Sequence, residues 1–190
     1  MVTDKINIRD TFLPDVLIID PPWPKKKGGK RRVRPKQGKK LDYNTLSVAE
    51  IFNLLDREIF PRKQHTVFMW TIDEFLVECE KQMSERSYRR HARLIWNKTN
   101  GIAPAFSVRF AHEYLIWYYK PKFIKIHNTA RGLFTTVFTE KAREHSRKPD
   151  IIYLMIQALY PHAKKLDVFS REERIGWDTW GNERDKFNKK

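Results

Sequence analysis

Four apolar residues in unbroken succession, Val16-Leu17-Ile18-Ile19, lie between Asp15 and Asp20 and offer no polar side to water. Alternate residues of a strand point to opposite faces, so such a run fits only where both faces are covered. It predicts a largely parallel sheet packed between helices. HTVFMWT (65–71) is a second strand of this kind, and KLDVF (165–169) is a last one. HARLIWN (91–97) and HEYLIWYY (112–119) read as strands from their aromatic and branched side chains. Helical stripes alternate with them. Val48, Ile51, Phe52, Leu55 and Ile59 follow a Ser47/Glu50 capping box and run to Pro61. Phe75, Leu76, Cys79 and Met83 follow a second box at Thr71/Glu74. Ile151, Ile152, Met155 and Leu159 form the inward side of a helix with Pro149 in its first turn and Pro161 at its end. Residues 121–147 read as loop with one short strand. The pattern is an α/β fold, taken as a single domain over residues 1–190. Ligands of such sheets bind beyond the strand carboxyl ends, and two acids, Asp20 and Asp167, lie at or inside such strands.

Charge narrows the partners. The chain carries 38 Lys and Arg against 23 Asp and Glu, a formal +15, which points to a polyanion, nucleic acid before an anionic membrane surface. No apolar run approaches the roughly 20 residues of a membrane helix, and MVTDKINIRD lacks the apolar core of a signal peptide. Cys79 is alone and the six histidines have no zinc spacing, so neither disulfides nor a metal site is expected. Of the histidines, His145 alone is placed near the candidate site. A reducing cytoplasm, of a bacterium or a phage host, fits; in a eukaryote the lysine run would also read as a nuclear address.

Asp20-Pro21-Pro22-Trp23 follows the first strand. A turn explains the acid and the prolines; it leaves the indole unexplained. Methylation of an exocyclic amine needs the whole set. The amine of adenine is a poor nucleophile because its lone pair is delocalised into the ring. A carboxylate and a backbone carbonyl can hold its hydrogens, prolines keep that carbonyl aimed, and a flat side chain stacks on the exposed base.

Towards the other end, HSRKPD, DVFSR and GWDTWGNE follow one another. With DPPW these motifs, in this order, resemble the MT-A70 family of N6-adenine methyltransferases, relatives of the catalytic subunit that methylates adenosine in mRNA, over roughly residues 14–184. The resemblance implies a Rossmann-like S-adenosylmethionine-dependent fold in permuted order, with the catalytic motif before the cofactor motif. It makes Asp20, Pro21, Pro22 and Trp23 the catalytic tetrapeptide and Tyr43 an aromatic at the mouth of the site. Asp20, Ser146, Lys148 and Phe169 fall among the cofactor's contacts, with Lys148 on its methionine carboxylate. Arg171, Glu173 and Arg174 fall at its ribose, and Asn182 and Glu183 at its adenine. Glu173 and Arg174 stand where better-known relatives carry His-Asn. A Gly-x-Gly-x-x-Gly turn is missing, which speaks against a nicotinamide cofactor.

Residues 24–42 form a basic loop that leaves directly from Trp23 and reads as mobile. Lys25, Lys26, Lys27, Lys30, Arg31, Arg32 and Arg34 are its core. A solvated charged loop is the plain reading. Its origin at the tetrapeptide favours an arm that grips phosphates.

The expected function is methyl transfer from S-adenosylmethionine, yielding S-adenosylhomocysteine, to the amine of an extruded or unpaired adenine in DNA or RNA. N4-cytosine methylation and a catalytically inactive nucleic-acid-binding subunit are the alternatives. A homodimer or a heteromeric methyltransferase complex is the expected assembly, with no membrane.

Overall fold

A computed structural model describes residues 13–24, 45–100, 108–144 and 147–187. Tyr43, His145, Ser146 and the whole set from Lys25 to Arg34 lie outside the described residues. Seven strands form one sheet in the order β5-β3-β4-β2-β1-β6-β7. They are β1 (Val16–Ile19), β2 (His65–Thr71), β3 (Arg89–Lys98), β4 (His112–Lys120), β5 (Val137–Glu140), β6 (Lys165–Val168) and β7 (Asp178–Trp180). β1 pairs in parallel with β2 on one side and with β6 on the other. β3 with β5, and β6 with β7, are also parallel. β4 is antiparallel to both its neighbours, β2 and β3. Among these strands it alone runs against the rest.

The helices α1 (Val48–Glu58), α2 (Asp73–Glu85) and α3 (Asp150–Leu159) cover both faces. Leu17 and Ile19 of β1 pack with Ile51, Phe52, Cys79 and Met83 of α1 and α2. Val16 and Ile18 pack on the other face with Ile152, Met155, Ile156 and Leu159 of α3. The unbroken apolar run of β1 is thus buried on both sides, as its sequence requires. Trp70, Trp96 and Trp117 are core residues on the α3 face.

A local signal fixes the start of α1, and the other helices begin differently. Ser47 and Glu50 make a reciprocal capping box at α1. The second expected box does not form. Thr71 is the last residue of β2, buried, and its hydroxyl donates to the carbonyl of Ile72 at 3.3 Å. Ile72 is therefore the N-cap of α2, without a side-chain cap. Pro149 is the N-cap of α3 rather than inside its first turn. The carboxylate of Glu140 on β5 accepts from the free amides of Asp150 and Ile151 (3.1 and 3.2 Å). Ile151 sits on the outer side of that helix, 40% exposed, not inward.

The chain leaves β1 through α1 to β2 on one side, and β6 leads on to β7 on the other. The carboxyl ends of β1 and β6 thus flank a switch point, the expected place for a ligand crevice in an open α/β sheet.

Candidate active site

Asp20 follows β1 directly, its amide donating to the carbonyl of Val168 on β6 at 3.2 Å. The prolines then force a tight turn, with the Trp23 amide on the carbonyl of Pro21 at 2.8 Å. The carbonyl of Pro22 accepts from the amide of Leu46 at 3.0 Å, and among the described residues its second lone pair has no other backbone donor. The indole of Trp23 is fixed at two points. Its Nε1 donates to the carbonyl of Trp70 at 3.1 Å, and its ring stacks on Phe75 at 5.4 Å and 12°.

Lys148, immediately before α3, is buried and brings its ammonium to Asp20 (3.1 Å) and to Glu113 on β4 (2.9 Å). Lys98 of β3 pairs with the other side of Glu113, and the ring of Trp70 lies 5.1 Å from the Lys148 ammonium. The electrostatics divide unevenly. Burial pushes both carboxyls up. At Glu113 two lysines outweigh burial and hold the group down at about 2. At Asp20 burial prevails over Lys148, and the carboxyl is raised above its ordinary value. Burial alone would lower Lys148, but the two carboxylates override it and keep it charged.

A pocket opens beside this trio, lined by Asp20, Arg147, Lys148, Tyr153, Asp167, Phe169, Ser170, Arg171, Glu172, Arg174 and Phe187. Asp167 is its buried floor. It accepts from the hydroxyls of Tyr153 (3.0 Å) and Ser170 (3.2 Å) and faces Arg174 at 3.4 Å. Burial outweighs those three and pushes Asp167 up to about 7. Arg174 lies 3.7 Å over the Tyr153 ring and pairs with Glu172 at 2.7 Å; Glu172 also pairs with Arg147. Phe169 takes a left-handed φ of 61°, an uncommon conformation for a non-glycine residue, at the point where the chain leaves β6.

Of the residues that the sequence points to, Asp20, Lys148, Phe169, Arg171 and Arg174 line the pocket. Pro21, Pro22 and Trp23 follow Asp20 in the chain and are not part of the lining. Glu173 and Asn182 are exposed and outside the lining, and the carboxylate of Glu183 is paired with Arg171 at 3.2 Å. Glu113, Arg147, Glu172 and Phe187 carry no mark of a site residue in the sequence, and Asp167 is marked there only by its position in a strand. Glu113 reaches the site through its register opposite Trp96, which depends on the pairing of β3 with β4.

The donor set fits S-adenosylmethionine. Lys148 offers a cation for a carboxylate, Asp20 and Glu172 offer acceptors for an amine and hydroxyls, and aromatic rings flank the space. The buried Nε of Arg174 has no hydrogen-bond partner among the described residues, an unmet donor that suits a polar ligand. Among the same residues no group of His, Cys, Asp and Glu could hold a metal ion, and no helix is long and apolar enough to cross a membrane.

A switch-point crevice of this composition, in a sheet covered on both faces, fits a Rossmann-like fold of the S-adenosylmethionine-dependent methyltransferase type. Residues 14–183 match the MT-A70 family, and the chain belongs to it. It is 25% identical over 184 residues to the N(6)-adenosine-methyltransferase MT-A70-like protein of Arabidopsis thaliana, covering 94% of this chain and 24% of that one. To the human N(6)-adenosine-methyltransferase catalytic subunit METTL3 it is 24% identical over 176 residues, covering 90% and 28%. To the N6-methyladenosine RNA methyltransferase MTA1 of Pyricularia oryzae it is 23% identical over 181 residues, covering 89% and 46%. The chain thus spans about a quarter of the plant and human relatives and less than half of the fungal one.

Proposed function

We propose that this protein is an S-adenosylmethionine-dependent N6-adenine methyltransferase acting on nucleic acid. The observation that carries the reading is the placement of Asp20, a partly buried carboxylate directly after β1 that lies 3.1 Å from the Lys148 ammonium and leads into the Pro22 carbonyl and the fixed indole of Trp23. Such a group accepts hydrogen bonds from an amine strongly and can take its proton. When bound, S-adenosylmethionine supplies a methyl group already activated by the sulfonium, so the chain need only position and deprotonate.

Asp20 and the remaining lone pair of the Pro22 carbonyl hold the two hydrogens of the adenine amine and turn its nitrogen towards the methyl group. Trp23, fixed by Trp70 and Phe75, provides the stacking surface for an extruded or unpaired base. Lys148 meets the methionine carboxylate, aided by the amino terminus of α3. Arg171 and Arg174, which line the pocket, serve the ribose; Glu173 and Asn182 lie outside the lining and Glu183 is paired with Arg171, so these three reach the cofactor only by turning inward when it binds. Asp20 or water takes the released proton. The names of the fungal and human relatives favour RNA as substrate and a multi-subunit setting.

The test is transfer of labelled methyl groups to matched single- and double-stranded DNA and RNA, with product digestion and mass analysis. N6-methyladenine that disappears in Asp20→Ala is the expected result. Label in N4-methylcytosine instead, or no label above the Asp20→Ala background on any substrate, overturns the reading.

A further inference from the structure

The segment after β7 turns back across the pocket. Glu183 pairs with Arg171 and with Lys186, each at 3.2 Å, and the amide of Phe187 donates to the carbonyl of Arg171 at 3.0 Å. The side chain of Phe187 thereby becomes part of the pocket lining. Arg147 meets it from the opposite segment, its guanidinium 5.7 Å from the Phe187 ring centre, and is itself held by Glu172 and Glu144.

The three aromatic rings of the pocket differ in what they leave free. Tyr153 is covered by Arg174 at 3.7 Å and has Trp177 against it at 5.3 Å. Phe169 has Trp180 edge-on at 5.5 Å. Phe187 is half-buried and meets no other aromatic ring among the described residues. An apolar ring facing an otherwise ionic pocket is a surface that a flat ligand would bury, and a planar guanidinium beside it extends that surface.

We infer that Phe187 and Arg147 form a wall of the cofactor pocket against which the purine of S-adenosylmethionine packs, and that residues 181–187 are a strap fastened by that contact. The strap is tied by partly exposed ion pairs and one backbone hydrogen bond, individually weak links. Ligand contact at Phe187 therefore changes how firmly it is docked. The inference rests on the pocket being the cofactor site, as proposed above.

The experiment is calorimetric titration of the whole chain with S-adenosylmethionine, paired with limited trypsin digestion at Arg184 and Lys186. Phe187→Ala should weaken binding about tenfold and Phe187→Leu by less, since the ring contributes a flat contact beyond its apolar area. Cofactor should slow cleavage at Arg184 and Lys186 in the wild type and fail to do so in Phe187→Ala. Equal or tighter binding by Phe187→Ala overturns the wall, as does cleavage in the wild type that ignores cofactor. A wild-type chain that binds no S-adenosylmethionine overturns the proposed function itself, a result distinct from either.

Discussion

Glu113 and Asp20 share the ammonium of Lys148 at 2.9 and 3.1 Å, and burial, which Lys148 does not offset at Asp20, leaves Asp20 the more basic of the two partly buried carboxylates. Lys98 strengthens that asymmetry from the far side of Glu113. Glu113 thus stays ionised and anchors the lysine, while Asp20 keeps the raised proton affinity on which the proposed amine chemistry relies. Glu113→Gln removes the competitor and gives Lys148 wholly to Asp20. The Asp20 carboxyl should then fall, and the acid limb of the activity–pH profile should move to lower pH, with a smaller maximal rate. A profile that keeps its acid limb in Glu113→Gln would separate Asp20 from Glu113.

Lys148→Met removes the shared cation and leaves two partly buried carboxylates, at 18% and 16% side-chain exposure, facing each other. Breaking a buried ion pair by deleting one partner costs about 3–5 kcal/mol. Lys98 still neutralises Glu113, which sets the expectation at about 3 kcal/mol, or roughly 9 °C in Tm for a chain of this size. Adding Asp20→Asn to Lys148→Met should recover part of the loss. Calorimetric melting of the single and double variants checks both, and a double variant no more stable than Lys148→Met would contradict this account of the trio.

What the sequence discloses and what it withholds divide along physical lines. The limits of β2, 65–71, and the Ser47/Glu50 box are legible because an apolar run and a cap are local events. Asp20, Lys148 and Arg171 are reached through motif order, and all three line the same pocket. β7 is hidden, since Asp178, Thr179 and Trp180 have no strand pattern of their own and become a strand only by pairing with β6. Thr71 has the sequence of a cap and is not one, because its burial opposite Tyr114 is decided by the β2–β4 pairing. Glu113 is concealed for the same reason. Contacts between strands far apart in sequence carry no local signature.

Gly181 has a physical reason to be glycine. Its φ is +152°, and a Cβ there would lie 3.1 Å from the Cα of Phe169 and 3.2 Å from the amide nitrogen of Ser170. Those are backbone atoms next to the pocket, and they would have to shift by a few tenths of an ångström to admit a methyl group. Gly132 has a φ of +72°, but a Cβ at that position would meet nothing within 4 Å, so only conformational strain applies there. Gly132→Ala should cost about 1 kcal/mol. Gly181→Ala should cost about 2–3 kcal/mol and also weaken S-adenosylmethionine binding by displacing Phe169. Urea unfolding of the two variants checks the order, and equal losses would remove the close approach as the cause.

Asp167 makes stability depend on pH. Its carboxyl ordinarily titrates at 3.8 and is pushed up to about 7 by burial, against Arg174, Tyr153 and Ser170. Between those values the native state holds a proton that the unfolded chain has released. Stability is therefore greatest below pH 3.8 as far as this group is concerned, and is lost as pH rises towards about 7. The loss is on the order of 4 kcal/mol for a group this deeply buried. Asp20, also raised, adds to it in the same direction. Glu113 works the other way, its contribution being lost as pH falls from 4.5 towards about 2, which lies mostly below this window. Asp167→Asn keeps an acceptor for the Tyr153 hydroxyl without a titrating proton. Urea unfolding between about pH 4.5 and 8 should thus show a falling stability in the wild type and a much flatter line in Asp167→Asn. Parallel slopes in the two proteins would mean that Asp167 is ionised throughout, held by Arg174 despite its burial.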